Sequence, residues 1–193
     1  MTIGIFWNWF SNNETRLFDY DDNNAGETMK EIHKNLNQVE DGLGFEISKI
    51  IDNKRQIEIS AEGNIKNFDL IKRIVAEAPV LDKWKIVAFR QPSADGFILK
   101  FDEFELDTFK LFFLPVEQDD DIDIVIYGEN FKEYNEQKLA QYGFIMVDNL
   151  LGEYDTVIKV RYFDFKDIST VDNKEDLNPL EDLPDYIQWY YSK

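Results

Sequence analysis

The sequence predicts an α+β fold: an antiparallel or mixed sheet built from two hairpin–helix–strand (ββαβ-like) units, with helices packed mainly on one face. Three observations carry this. Gln56–Ala61 and Ile122–Tyr127 alternate apolar and polar residues with the period of two that buries one face of a strand and wets the other. Each follows a turn-forming cluster, Asp52-Asn53-Lys54 and Gln118–Asp121, that joins it to an earlier apolar run as a hairpin. Each is followed by a segment of helical period and then by another strand.

Element by element, Phe6, Trp9, Phe10 and Leu17 fall near one helical face at the start of the chain, and Asp21–Gly26 breaks that helix. A second helix is expected from about Glu27 to Val39, with Met29, Ile32, Leu36 and Val39 as its apolar stripe. Gly42 and Gly44 stop it. Phe45–Ser48 and Gln56–Ala61 form the first hairpin. Asn67 is expected to cap a helix that buries Phe68, Leu70, Ile71, Ile74 and Val75, and Pro79 closes it. Trp84–Phe89 follows as a strand too continuously apolar for a sheet edge.

The second half is expected to open with a loop or short strand over Phe97–Leu106. A strand Lys110–Leu114 then pairs with Ile122–Tyr127. Asn130 and Glu133 read as a capping box for a helix from about Phe131 to Leu151, ended by Gly152. Thr156–Phe165 is expected to be the last long strand, and 177–191 a short helix or arm. The segments 45–91 and 110–165 form a pseudo-repeat of pattern without residue-level identity. The whole of 1–193 is expected to be one α+β domain.

Composition narrows the function. Aromatic residues make up 15% of the 193, enough to build a substantial core. Acidic residues outnumber basic ones 39 to 21, a formal net charge of −18. Such a surface repels phosphate backbones and anionic bilayers, so neither nucleic acid nor membrane is an expected partner, and a basic protein is. No apolar run approaches the ~20 residues of a membrane-spanning helix. Met1–Gly4 lacks the basic start of a leader peptide, and a cytoplasmic location is expected. The chain has no cysteine, which removes disulfides, thiolate metal sites and thiol nucleophiles.

The remaining chemistry is sparse. The single histidine, His33, sits beside the apolar stripe of the second helix and reads as a surface residue. No phosphate-binding loop or dinucleotide fingerprint occurs, so no cofactor is expected. Asp119, Asp120, Asp121 and Asp123 are the densest acidic run. They lack the loop glycine and distal glutamate of a calcium-binding hand, and read as a solvated turn that discourages edge pairing. No catalytic or metal-ligating residue is assigned.

Interaction candidates are Trp7, Trp9, Arg90, Asp119, Asp120, Asp121, Glu153 and Asp155. Trp7 and Trp9 either pack an N-terminal helix onto the sheet or form an exposed anchor for a partner. Arg90, at a strand end, needs a counter-charge, for which Glu153 or Asp155 is expected. Between Asp102 and Asp123 nine acidic residues face one lysine, a local net charge of −8. That segment serves solubility or offers a landing surface for a basic partner.

Several segments together, Phe6-Trp7-Asn8-Trp9-Phe10, Phe45-Glu46-Ile47 with Ile59-Ser60-Ala61-Glu62-Gly63, Ala78–Trp84 running into Ala88-Phe89-Arg90-Gln91-Pro92, and Leu151-Gly152-Glu153-Tyr154-Asp155, resemble a family of uncharacterised bacterial proteins. The resemblance runs from about residue 5 to 187. It implies a single cytosolic chain of this length and places Arg90, Glu153 and Asp155 in family motifs. It implies no activity, cofactor or catalytic residue. The expected function is therefore a non-enzymatic adaptor or immunity-type module that binds a basic protein. The alternative is an enzyme of unrecognised type that uses carboxylates, with or without a divalent metal.

Overall fold

A computed structural model describes residues 1–93, 95–101, 105–118 and 121–193. The fold is α+β, with three small sheets among the described residues. The chain divides into two compact units, Met1–Arg90 and Gln91–Lys193.

The first unit opens with helix α1 (Ile3–Asn12), capped by the Thr2 side chain, and α2 (Glu14–Phe18). α1 buries Ile3, Phe6, Trp7 and Phe10. Helix α3 (Ala25–Asn37) buries Thr28, Ile32 and Leu36 at the three–four spacing of its stripe. Strands β1 (Gly44–Ile47) and β2 (Arg55–Ser60) pair antiparallel. The turn between them holds Asp52 at φ 49° and Asn53 at φ 60°, while Ile51 and Lys54 exchange both backbone hydrogen bonds. Two successive left-handed residues match the right-handed twist of the flanking strands, which makes this the favoured two-residue hairpin. Helix α4 (Phe68–Ala76) then crosses to β3 (Trp84–Ala88), which lies parallel to β2. Ile57 and Ile59 on β2 are fully buried, and Glu58 between them takes the opposite face.

In the second unit β4 (Ile98–Lys100) and β5 (Glu105–Asp107) form a two-stranded antiparallel sheet. β6 (Phe112–Gln118) and β7 (Asp121–Gly128) form the second hairpin. Helices α5 (Glu136–Leu151) and α6 (Glu153–Ile158) lead to β8 (Tyr162–Asp167), parallel to β7. A two-residue strand β9 (Asn178–Pro179) pairs with the start of β6, and α7 (Leu183–Tyr190) ends the unit. The four-stranded order is β8-β7-β6-β9. Pro115 is tolerated inside β6 because β9 reaches only Phe112 and Phe113, leaving the proline on the open side of its strand. Ile122, Ile124 and Ile126 share one buried cluster with Leu139, Met146 and Val147 of α5 and Leu183 and Ile187 of α7. Both helices thus cover the same face of β7. At Gly143 of α5 an added Cβ would lie 2.3 Å from the Phe165 ring, so the helix meets β8 at van der Waals distance only without a side chain.

Each unit therefore contains an antiparallel hairpin, a helical crossover and a third strand parallel to the second. Several sequence expectations are corrected in detail. β3 is the edge of the order β1-β2-β3, and its Ile86 is half-buried; the apolar run reflects cover on its faces rather than pairing on both sides. Asn67 makes no side-chain cap. Asn64, three residues earlier, caps the preceding 3₁₀ turn instead. Asn130 is left-handed at φ 62° and caps nothing, while Asn135 accepts from Lys138 N–H and starts α5 five residues later than expected. The segment from Thr156 to Ile158 is helical, so the last long strand begins at Tyr162. β6 begins at Phe112 rather than Lys110, because residues 108–110 are a 3₁₀ turn capped by Asp107.

Candidate functional site

The second unit carries an open cavity of about 530 Å³ lined by Glu105, Asp107, Phe109, Lys110, Leu111, Phe112, Glu129, Asn130, Phe131, Tyr134 and Ile168. Local chemistry builds it. Asp107, the last residue of β5, accepts the Phe109 N–H on Oδ1 at 3.1 Å and so starts the 3₁₀ turn Thr108–Lys110. The Thr108 hydroxyl donates to the Phe97 carbonyl at 3.0 Å and accepts the Phe97 N–H at 2.8 Å, fastening that turn. Phe109, in that turn, is 56% exposed and lines the cavity.

The opposite wall comes from the end of β7. Gly128 admits the Phe131 ring, which an added Cβ would meet at 2.4 Å. Asn130, left-handed, then turns the chain into the 3₁₀ segment Phe131–Glu133. The floor is buried Leu111 and Phe131 with half-buried Phe112, Tyr134 and Ile168.

The rim is charged. The Lys110 ammonium stands 2.8 Å from Asp107 Oδ2, with side-chain exposures of 73% and 10% respectively. The hydrogen bond from Lys110 holds the Asp107 carboxyl below its ordinary pKa, and the same bond raises that of Lys110. Glu105 lies 3.7 Å from Lys100, and Glu129 is exposed. A sheltered carboxylate, two further acids and an apolar floor are chemically complementary to a cation with a flat or apolar body.

The residues singled out from sequence fall elsewhere. Trp7 is 3% exposed and donates its indole N–H to the Ile74 carbonyl at 2.7 Å, so it is a core residue rather than an exposed anchor. Trp9 is half-buried beside Phe6 and Phe10. Arg90 lies in the first unit, where its guanidinium donates to Ser60 Oγ at 2.9 Å and Glu62 Oε1 at 3.0 Å. Glu62 there is left-handed at φ 51°, as is Phe89 at φ 67°. Glu153 and Asp155 lie in the second unit. Glu153 is fully buried at the start of α6, and Asp155 pairs with Lys159 at 2.8 Å one helical turn on. Asp119 and Asp120, like Asp102 and Glu103, lie outside the described residues. Asp121 is exposed, and Asp123 is bound by Arg161 Nε at 2.8 Å.

The cavity residues were not singled out, although Glu105, Asp107 and Lys110 sit inside the acidic segment counted above. The signal was Asp107 placed two residues before Phe109, the spacing of a side-chain-capped turn. Glu129 arrives from the far side of the hairpin and leaves no mark in the linear pattern.

Among the described residues, no group of three or more acidic or histidine side chains is placed to hold a metal ion. No helix of the described residues is long and apolar enough to cross a membrane. No protein-family model, curated protein or solved structure matches the chain.

Proposed function

We propose that this chain is a non-enzymatic adaptor or immunity-type module that binds a basic protein. The observation that carries the reading is the second-unit cavity, where Glu105, Asp107 and Glu129 surround an aromatic and aliphatic floor. A net charge of −18 adds to it by drawing a basic partner toward the surface before contact. The resemblance to uncharacterised bacterial proteins implies a bacterial cytosol as the setting of this reading.

The test is association of the full chain with octa-arginine and with octa-glutamate peptides, measured by calorimetry at low and high salt. The reading expects saturable binding of octa-arginine only, weakened by salt as screening shortens the reach of the acidic surface. Equal binding of both peptides, or of neither, would overturn it.

A further inference from the structure

We propose that the second-unit cavity is a guanidinium subsite and that Lys110 is its built-in placeholder, displaced when an arginine of the partner enters. The proposal rests on the function proposed above and names the group recognised.

Three observations combine. Asp107 is sheltered, but its one described cation partner, Lys110, is 73% exposed on a long side chain and is therefore held only from the open side. The Asp107 Oδ1 is engaged by Phe109 N–H, whereas Oδ2 meets, among the described residues, the lysine ammonium. Phe109, 56% exposed, lines the same cavity.

A lysine from the chain itself satisfies the charge of Asp107, and Glu105 and Glu129 stabilise the same ammonium from further away, but an ammonium is a compact point charge that does not offer a planar face or several fixed N–H edges. A guanidinium is planar, donates from several N–H groups at once and stacks on an aromatic face. It can hold Oδ2, lie on Phe109 and turn a second edge toward Glu129. The cavity liners carry three acids against one lysine, so a second cation is accepted without a net positive charge. Arginine should therefore bind better than lysine, and should do so against competition from Lys110.

The test uses the full chain and amide-proton NMR, with N-acetyl-arginine-methylamide and its lysine counterpart as probes. The arginine probe should shift the amides of 105–112 and 128–131 saturably, and the lysine probe should bind more weakly. Lys110→Met, a change at an exposed side chain, should tighten the arginine probe by about two- to fivefold, the equivalent of one exposed ion pair. Asp107→Asn keeps the acceptor for Phe109 N–H and should abolish the shifts with the spectrum otherwise folded. Equal binding of the two probes, or no gain from Lys110→Met, would overturn the placeholder. If the arginine probe shifts nothing while octa-arginine still binds in a salt-sensitive way, the guanidinium subsite falls, and of the proposed function only the attraction of a basic partner by the acidic surface stands. If neither binds, both fall.

Discussion

The Arg55 guanidinium lies 3.9 Å from the centroid of the Tyr20 ring and at the same time donates to the Tyr20 carbonyl at 3.2 Å. Its Nε donates to the Phe18 carbonyl at 2.8 Å and its Nη1 to the Ser48 carbonyl at 3.0 Å. In a chain so rich in carboxylates, this buried arginine is held by carbonyls, the Tyr20 hydroxyl at 3.1 Å and a ring. It ties the end of α2 and the segment after it to the first hairpin. Arg55→Met should strand three carbonyls and cost about 3 kcal/mol or more in urea unfolding. Arg55→Lys should recover little, because an ammonium does not reproduce the planar fork. Wild-type stability of the lysine variant would show that charge alone is at work.

Trp84 and Trp7 offer a controlled contrast. Both are buried, but the Trp84 indole N–H has no hydrogen-bond partner among the described residues, while that of Trp7 donates to Ile74. Phenylalanine at either position removes a similar volume. Trp7→Phe should therefore cost about 1–3 kcal/mol more than Trp84→Phe, since it leaves a buried carbonyl unmatched. Equal costs in thermal unfolding would contradict the assignment.

The first hairpin turn makes a sign prediction. Asn53, at φ 60°, already tolerates the left-handed region. Asn53→Gly should leave stability unchanged or raise it by up to about 1 kcal/mol, whereas Asn53→Val should lower it by more than ~1 kcal/mol. Denaturant midpoints measured under one condition decide between them.

Asp167, at the end of β8, is held down to a pKa of about 2 by the Ser169 hydroxyl, the Ser169 N–H and the Lys132 N–H, with the Lys132 charge adding to them. The unfolded chain binds this proton near 3.8, so between those values it carries more protons than the folded one. The contribution is present above the unfolded value and is lost as pH falls through the window from about 4 to about 2. Asp167→Asn should flatten this part of the acid limb of stability against pH. An unchanged limb would remove Asp167 from the account.

The strand-helix-strand order was legible because period-two and period-three patterns survive in a single chain: Ile57 and Ile59, or Ile32 and Leu36, mark buried faces without help from neighbours. Caps were read less well. Asn67 and Asn130 have the right side chain for capping, but Asn64 and Asn135 are the residues whose oxygens point at an amide, and backbone angles decide that. Trp84–Ala88 looked central because burial of both faces of a strand and pairing on both edges leave the same apolar run. The cavity was illegible as a site because Asp107 precedes and Glu129 follows the β6–β7 hairpin in the chain, and only the hairpin's register brings both to one cavity. Trp7 misled in the other direction, since an aromatic that anchors a partner and one that anchors a core have the same composition signal.

Hydrogen–deuterium exchange of the full chain with and without octa-arginine tests the central claim most directly, because it reports where a basic ligand sits without any substitution. The account predicts slowed exchange over residues 105–112 and 128–134, removed by high salt. Slowed exchange confined to other segments, or none at saturating peptide, would contradict it.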